Sequence, residues 1–124
     1  MARVKKEIQY GVYGIYQHDK LLYIGSTNDF LLRQHQHLKK LKDGTHIKTL
    51  QKYVDDNVKD IDLDLEFRLI HVPKDSSKVR LFFCEIILIQ YYRPLNKAVL
   101  QFGLKYIQFG QPVVNWNLDI LNYL

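Results

Sequence analysis

Two runs of aromatic and branched residues, QYGVYGIYQ at 9–17 and KLLYIG at 20–25, are joined through the polar stretch QHDK. So short a connection between two strand-like runs predicts a β-hairpin. Within it Gly-x-Tyr occurs twice, at 11–13 and 14–16, and Tyr-Ile-Gly follows at 23–25. The pleat sends Tyr13 and Tyr16, three residues apart, to opposite faces of the sheet. With a turn of about three residues centred on His18, Tyr13 lies directly opposite Tyr23 and on its face.

The remaining chain reads as helices packed on this hairpin. STNDF offers Thr27 or Asn28 as the N-cap of a helix over about 29–42, ended near Asp43-Gly44. At helical spacing, Leu31, Leu38 and Leu41 form its buried stripe, and Arg33, His37 and Lys40 cluster roughly opposite. Thr45 can cap a second helix, which places Ile47, Leu50 and Val54 on one face. LDLEFRLIHV (63–72) alternates like a half-buried strand and ends at Pro73. A third helix over about 76–93 stops before Pro94, and its centre, LFFCEIILI, is apolar all round and reads as the central buried helix. LQFGLKYIQFG alternates again and is expected to add a C-terminal strand; PVVNWNLDILNYL (112–124) should pack on the body or on another subunit. The expected fold is a small mixed α/β (α+β) sandwich: a three-stranded sheet with an N-terminal hairpin, flanked by about three helices.

Length and composition give one domain, 1–124, since 47% hydrophobic and 25% charged residues suit an ordinary globular core. The lone Cys84 excludes an internal disulfide and a cysteine-based zinc site, and reads as core. No apolar run reaches the roughly 18–20 residues that span a bilayer, and MARVKKEIQY is not a signal peptide. A soluble, intracellular (cytoplasmic) protein without a membrane partner is expected. Its net charge of +5 is unevenly spread: six Lys/Arg face one acid from Arg33 to Lys52, and the balance reverses from Asp55 to Glu66. One electropositive side follows, suited to a polyanion.

Glu85 is the odd residue of the apolar helix. Its neighbours one turn away, Leu81, Phe82, Leu88 and Ile89, cannot pair with a carboxylate. It therefore reaches solvent, pairs with an arginine, or meets a metal or hydrogen-bond donors from elsewhere. His35 and His37 point apart on a helix, which argues against zinc. An Arg/His face, tyrosines on a hairpin and one carboxylate could together cleave a phosphodiester with one hard metal ion.

Taken in order, these motifs resemble the GIY-YIG nuclease superfamily over residues 10–97, with 98–124 as an extension packed on the core or at a dimer interface. Nine residues separate Tyr13 from Tyr23, close to the family interval, whereas only six separate Tyr16 from it. GVY is thus the motif, and the literal GIY is a decoy. The resemblance implies catalytic roles for Tyr13, Tyr23, Arg33, His37, His46, Glu85 and Asn96. Glu85 would hold Mg2+ (or Mn2+), and Tyr13 would be the general base, relaying its proton towards His37. Gly25 would allow a close backbone approach, and Lys39, Lys40, Lys42, Lys48 and Lys52 would contact phosphates. The implied activity is a metal-dependent DNA endonuclease that nicks one strand per active site, with a homodimer or a protein partner supplying specificity. The alternatives are a nucleic-acid-binding module of the same fold, and a catalytic subunit inactive without its partner.

Overall fold

The computed structural model describes residues 7–95 and 118–123. Strand β1 (Gly11–Gln17) is the centre of an antiparallel sheet, with β2 (Lys20–Thr27) on one side and β3 (Leu65–His71) on the other. Between β2 and β3 lie α1 (Phe30–Asp43), α2 (Lys48–Asn57) and the short α3 (Ile61–Asp64); α4 (Lys78–Tyr92) follows β3. The mixed α/β sandwich is as the sequence predicts. The expected strand in LQFGLKYIQFG, together with Asn96 and Trp116, lies outside the described residues.

The hairpin register differs from the symmetric one. Gln17 pairs with Lys20, so the loop is only His18-Asp19, with His18 at φ 55. The pairing then passes from Leu21 opposite Tyr16 to Tyr23 opposite Ile15, skipping Leu22. This bulge turns Leu22 and Tyr23 towards the same cluster of side chains, and Leu95 N–H donates to the Leu22 carbonyl at 2.8 Å. Tyr13 therefore sits opposite Gly25, not Tyr23. Tyr23 is its diagonal neighbour on the same face, with ring centroids 6.3 Å apart. Tyr16 leaves the other face and lies under the Arg68 guanidinium, 4.3 Å from its ring centroid.

The helix boundaries follow capping chemistry. Asp29, not Thr27 or Asn28, caps α1 by accepting from Leu32 N–H at 3.2 Å; Thr27 Oγ1 accepts from Asp29 N–H and positions it. Gly44, at φ 73, closes α1 in the left-handed region where glycine costs least. Thr45 does not cap α2. Ile47 holds that place with no side-chain bond, and Thr45 instead turns back to the Lys40 carbonyl. Leu63 and Asp64 are helical, because Asp60 accepts from Asp62 and Leu63 N–H groups and draws them out of the strand.

Two clusters of buried side chains flank the sheet. Ile15, Leu22, Leu41, Leu50, Val54 and Leu65 pack beneath α1 and α2. Val12, Ile24, Cys84, Ile87, Leu88 and Ile89 pack beneath α4, joined by Leu121 of a short 3-10 turn, Leu118–Tyr123. The tail thus places Leu121 on the body of the domain. Helix α4 is not buried all round: Val79, Phe82 and Phe83 are exposed. Among the described residues no helix is long and apolar enough to cross a membrane.

Candidate active site

The site grows from a packing reversal on α1. Leu31 is 39% exposed, whereas His37 is buried beside Leu41, so the inward face runs through Phe30, His37 and Leu41. Leucines at helical spacing suggested otherwise. The sheet opposite presents the polar tip of Tyr13, and a buried phenol needs a hydrogen-bonding partner that no leucine supplies.

That partner is His37. Its Nε2 meets Tyr13 Oη in a short hydrogen bond, and its Nδ1 lies 2.6 Å from His46 Nε2. His46 Nδ1 in turn accepts from Ile47 N–H at 2.8 Å. A backbone N–H can only donate, and this one fixes every proton behind it. With Nδ1 accepting, neutral His46 carries its hydrogen on Nε2 and donates to His37 Nδ1. His37 must then carry its own on Nε2 and donate to Tyr13. The Tyr13 hydroxyl hydrogen is left for Tyr23, to which a side-chain hydrogen bond runs. The chain of donors points one way, from Ile47 to Tyr23.

This polarity opposes the relay of a proton from Tyr13 into His37, because Nε2 is already protonated. Both histidines are held neutral. Burial lowers His37 to about 3, helped by His46, Arg33 and Lys40, and burial with Lys40 lowers His46 to about 4. Gln51 steadies the loop: its Oε1 accepts from His46 N–H at 3.1 Å, and its Nε2 donates to the Leu41 carbonyl and to Asp55.

The two phenols are not equivalent. Tyr13 is 2% exposed, and Tyr23, half-buried, stands in front of it. Burial raises the Tyr13 pKa, and Tyr23 and Glu85 add to the rise. Burial also raises Tyr23, with Glu85 next; Arg33 and the hydrogen bond from Tyr13 work against both. Gly25 is buried, and a Cβ there would fall on the Tyr13 hydroxyl. The glycine makes room for Tyr13 rather than for a nucleic-acid backbone.

Glu85 approaches from the opposite face of the sheet. Ser26 pairs with Val12 and so faces α4, and its backbone N–H and hydroxyl both donate to the Glu85 carboxylate. Burial nonetheless pushes Glu85 up to about 7, with the Ser26 bonds and Arg33 holding it from going higher. The exposed guanidinium of Arg33 thus bears on Tyr13, Tyr23, His37 and Glu85 together, which places it where the two faces meet. Among the described residues no group of three or more His, Cys, Asp or Glu could enclose a metal. A single carboxylate suits a hard ion that keeps most of its own water, and Glu85 fits that description.

Of the residues singled out in the sequence, Tyr13, Tyr23, His37 and His46 touch in series, and Arg33 and Glu85 lie within electrostatic reach. Asn96 falls outside the described residues. The five lysines are all exposed. Lys42 spends its charge on Asp62 at 2.9 Å, and Lys48 and Lys52 border a cleft that His46 shares with Asp55 and Asp56. Sequence reasoning missed Ser26 and Gln51. Ser26 directly follows Tyr-Ile-Gly, but which face a residue takes depends on a bulge that the motif does not announce.

A family model, the GIY-YIG catalytic domain, matches residues 9–98. Two solved structures are similar in fold. The catalytic domain of the homing endonuclease I-TevI is 24% identical, with a TM-score of 0.56 over 68% of this chain and 89% of that one. A mutant of the same intron-endonuclease domain is also 24% identical, with a TM-score of 0.55 over 68% and 84%. No curated protein sequence matches the chain.

Proposed function

The chain belongs to the GIY-YIG nuclease superfamily and is an endonuclease of that type; we propose that it hydrolyses DNA phosphodiesters one strand at a time, with Tyr23 as the general base. This reading is supported by the one-way chain of donors from Ile47 to Tyr13, together with the side-chain hydrogen bond between Tyr13 and the more exposed Tyr23. A hydrogen bond donated by Tyr13 stabilises a Tyr23 phenolate, and the histidines behind keep Tyr13 from turning round.

As the phenolate, Tyr23 takes a proton from water while the water oxygen bonds to phosphorus; the P–O3′ bond opposite breaks, and the leaving 3′ oxygen takes its proton from solvent. Arg33 neutralises charge that builds on the phosphate oxygens. Ser26 holds the Glu85 carboxylate towards the phosphate side. Burial is the larger reason Tyr23 keeps its proton; Mg2+ or Mn2+ held by Glu85 would add positive charge at the phosphate and remove the lesser contribution of the carboxylate. Tyr13, His37 and His46 are positioning residues that fix where the proton sits. One such site cuts one strand, so nicking is the simplest product, and a double-strand break would need a second copy or a second event.

The test is supercoiled plasmid with Mg2+, with and without EDTA, beside Glu85→Ala, Tyr23→Phe and Tyr13→Phe. Metal-dependent nicked circles that vanish with Glu85→Ala and Tyr23→Phe, and persist at a reduced rate with Tyr13→Phe, support the reading. Full activity of Tyr23→Phe would return the base to Tyr13. Intact plasmid with wild-type protein that still binds DNA would favour a docking module, or a subunit awaiting its partner.

A further inference from the structure

Beside the catalytic residues, a cleft of about 210 Å3 runs between the start of α1 and the start of α4. Ser26, Arg33, Ser76, Lys78, Leu81 and Phe82 line it. Ser26 and Arg33 belong also to the catalytic group, since Ser26 holds Glu85 and Arg33 bears on it, so the cleft adjoins the catalytic residues. Its chemistry is divided. Arg33 and Lys78 supply two positive charges that make no ion pair among the described residues. Phe82, one turn beyond Lys78 on the same side of α4, supplies an aromatic ring that is 44% exposed. Phe83 packs against that ring at 61° and 6.3 Å, which restricts its orientation. Phe82 and Phe83 together form an exposed aromatic patch beside two cations, a surface suited to a ligand that has both a ring and a negative charge.

We infer that this cleft is a nucleotide subsite: it takes the nucleotide next to the scissile phosphate in an unpaired state, with its base on Phe82 and its phosphate on Lys78. The inference rests on the endonuclease reading above. A base inside continuous duplex has both faces covered by its neighbours, so Phe82 can stack only on one that has left the helix. The preferred substrate is therefore DNA with an unpaired nucleotide at the cleavage point, such as a fork, flap or single strand, rather than unbroken duplex.

Binding measured in EDTA keeps the test separate from cleavage. Fluorescence anisotropy would compare a forked oligonucleotide, a single strand and a blunt duplex on wild type, Phe82→Ala, Phe82→Tyr and Lys78→Ala. The fork should bind wild type roughly tenfold tighter than the duplex. Phe82→Ala should lose roughly tenfold on the fork and nothing on the duplex, and Phe82→Tyr should restore the loss. Lys78→Ala should weaken the fork and lower the salt slope by about one. Equal affinity of wild type for fork and duplex overturns the inference, as does a Phe82→Ala variant that binds the fork normally or weakens all three alike. Failure to cut both the plasmid and the fork in Mg2+, with this binding pattern intact, would sink the nuclease reading alone. Cleavage without the pattern would sink the subsite alone.

Discussion

The two faces of the sheet bury similar numbers of side chains to different ends. Under α4 the packing is mainly apolar: Val12, Ile87, Leu88 and Ile89 fill it, and its polar contact is the one that Ser26 makes with Glu85. Under α1 and α2 the apolar packing is interrupted by Tyr13 and His37, with His46 at its edge, each committed to a specific hydrogen bond. An apolar cluster tolerates changes of shape if volume is kept, whereas a polar chain works only when every donor and acceptor is in place. Stability and catalysis should therefore respond to different residues, and substitutions can separate them.

The largest separation is expected at Tyr23. Tyr23→Phe removes one oxygen from the front of the donor chain and leaves the ring, so its melting temperature should hardly move. Its cleavage rate at saturating DNA should fall by roughly 10^2- to 10^4-fold, the range for losing a general base. On the opposite face the effect inverts. Leu88→Ala should cost about 2–5 kcal/mol in denaturant unfolding through the cavity it leaves. The fraction still folded should cut at the normal rate. A Leu88→Ala protein that is stable but slow would mean that the faces are mechanically coupled after all.

Acid sharpens the same contrast on a smaller scale. In the unfolded chain both histidines take protons below about pH 6.5, whereas in the folded protein His46 waits until about 4 and His37 until about 3. The unfolded state then binds more protons throughout that window, so stability should decline as pH falls from 6.5 towards 4 and be complete above it. His46→Gln can still donate towards His37 Nδ1 but does not titrate. Its melting temperature should be less sensitive to acid over that range, while Leu88→Ala should keep the wild-type slope. An unchanged slope in His46→Gln would remove His46 from the acid response.

How much of this could be read in the sequence follows from which interactions are local. The hairpin, the stop at Gly44 and the end of β3 were legible because glycine, proline and alternation act within a few residues. That Tyr13 and Tyr16 take opposite faces was legible too, since the pleat alone dictates it. The bulge at Leu22 was not: it is set by what Leu22 and Tyr23 pack against, and it moved Tyr13 from Tyr23 to Gly25. Periodicity misjudged α1 because it scores His37 as polar, and only the phenol across the sheet makes its burial favourable. It misjudged α4 in the other direction, since an all-apolar run cannot reveal that the described fold leaves Phe82 and Phe83 uncovered.

The smallest effect tests whether the basic stretch after Arg33 acts as one surface. Lys42 and Asp62 pair at 2.9 Å with both side chains half or more in water, so Lys42→Ala should change stability by under about 1 kcal/mol. Its contribution to DNA affinity should also be small, because Asp62 already answers its charge. Lys39 makes no ion pair among the described residues. Lys39→Ala should therefore weaken DNA binding more than Lys42→Ala and lower the salt slope by about one. Equal losses at the two positions would mean that DNA displaces Asp62 from Lys42. In that event the acidic segment that follows α2 would compete with substrate for the same lysine.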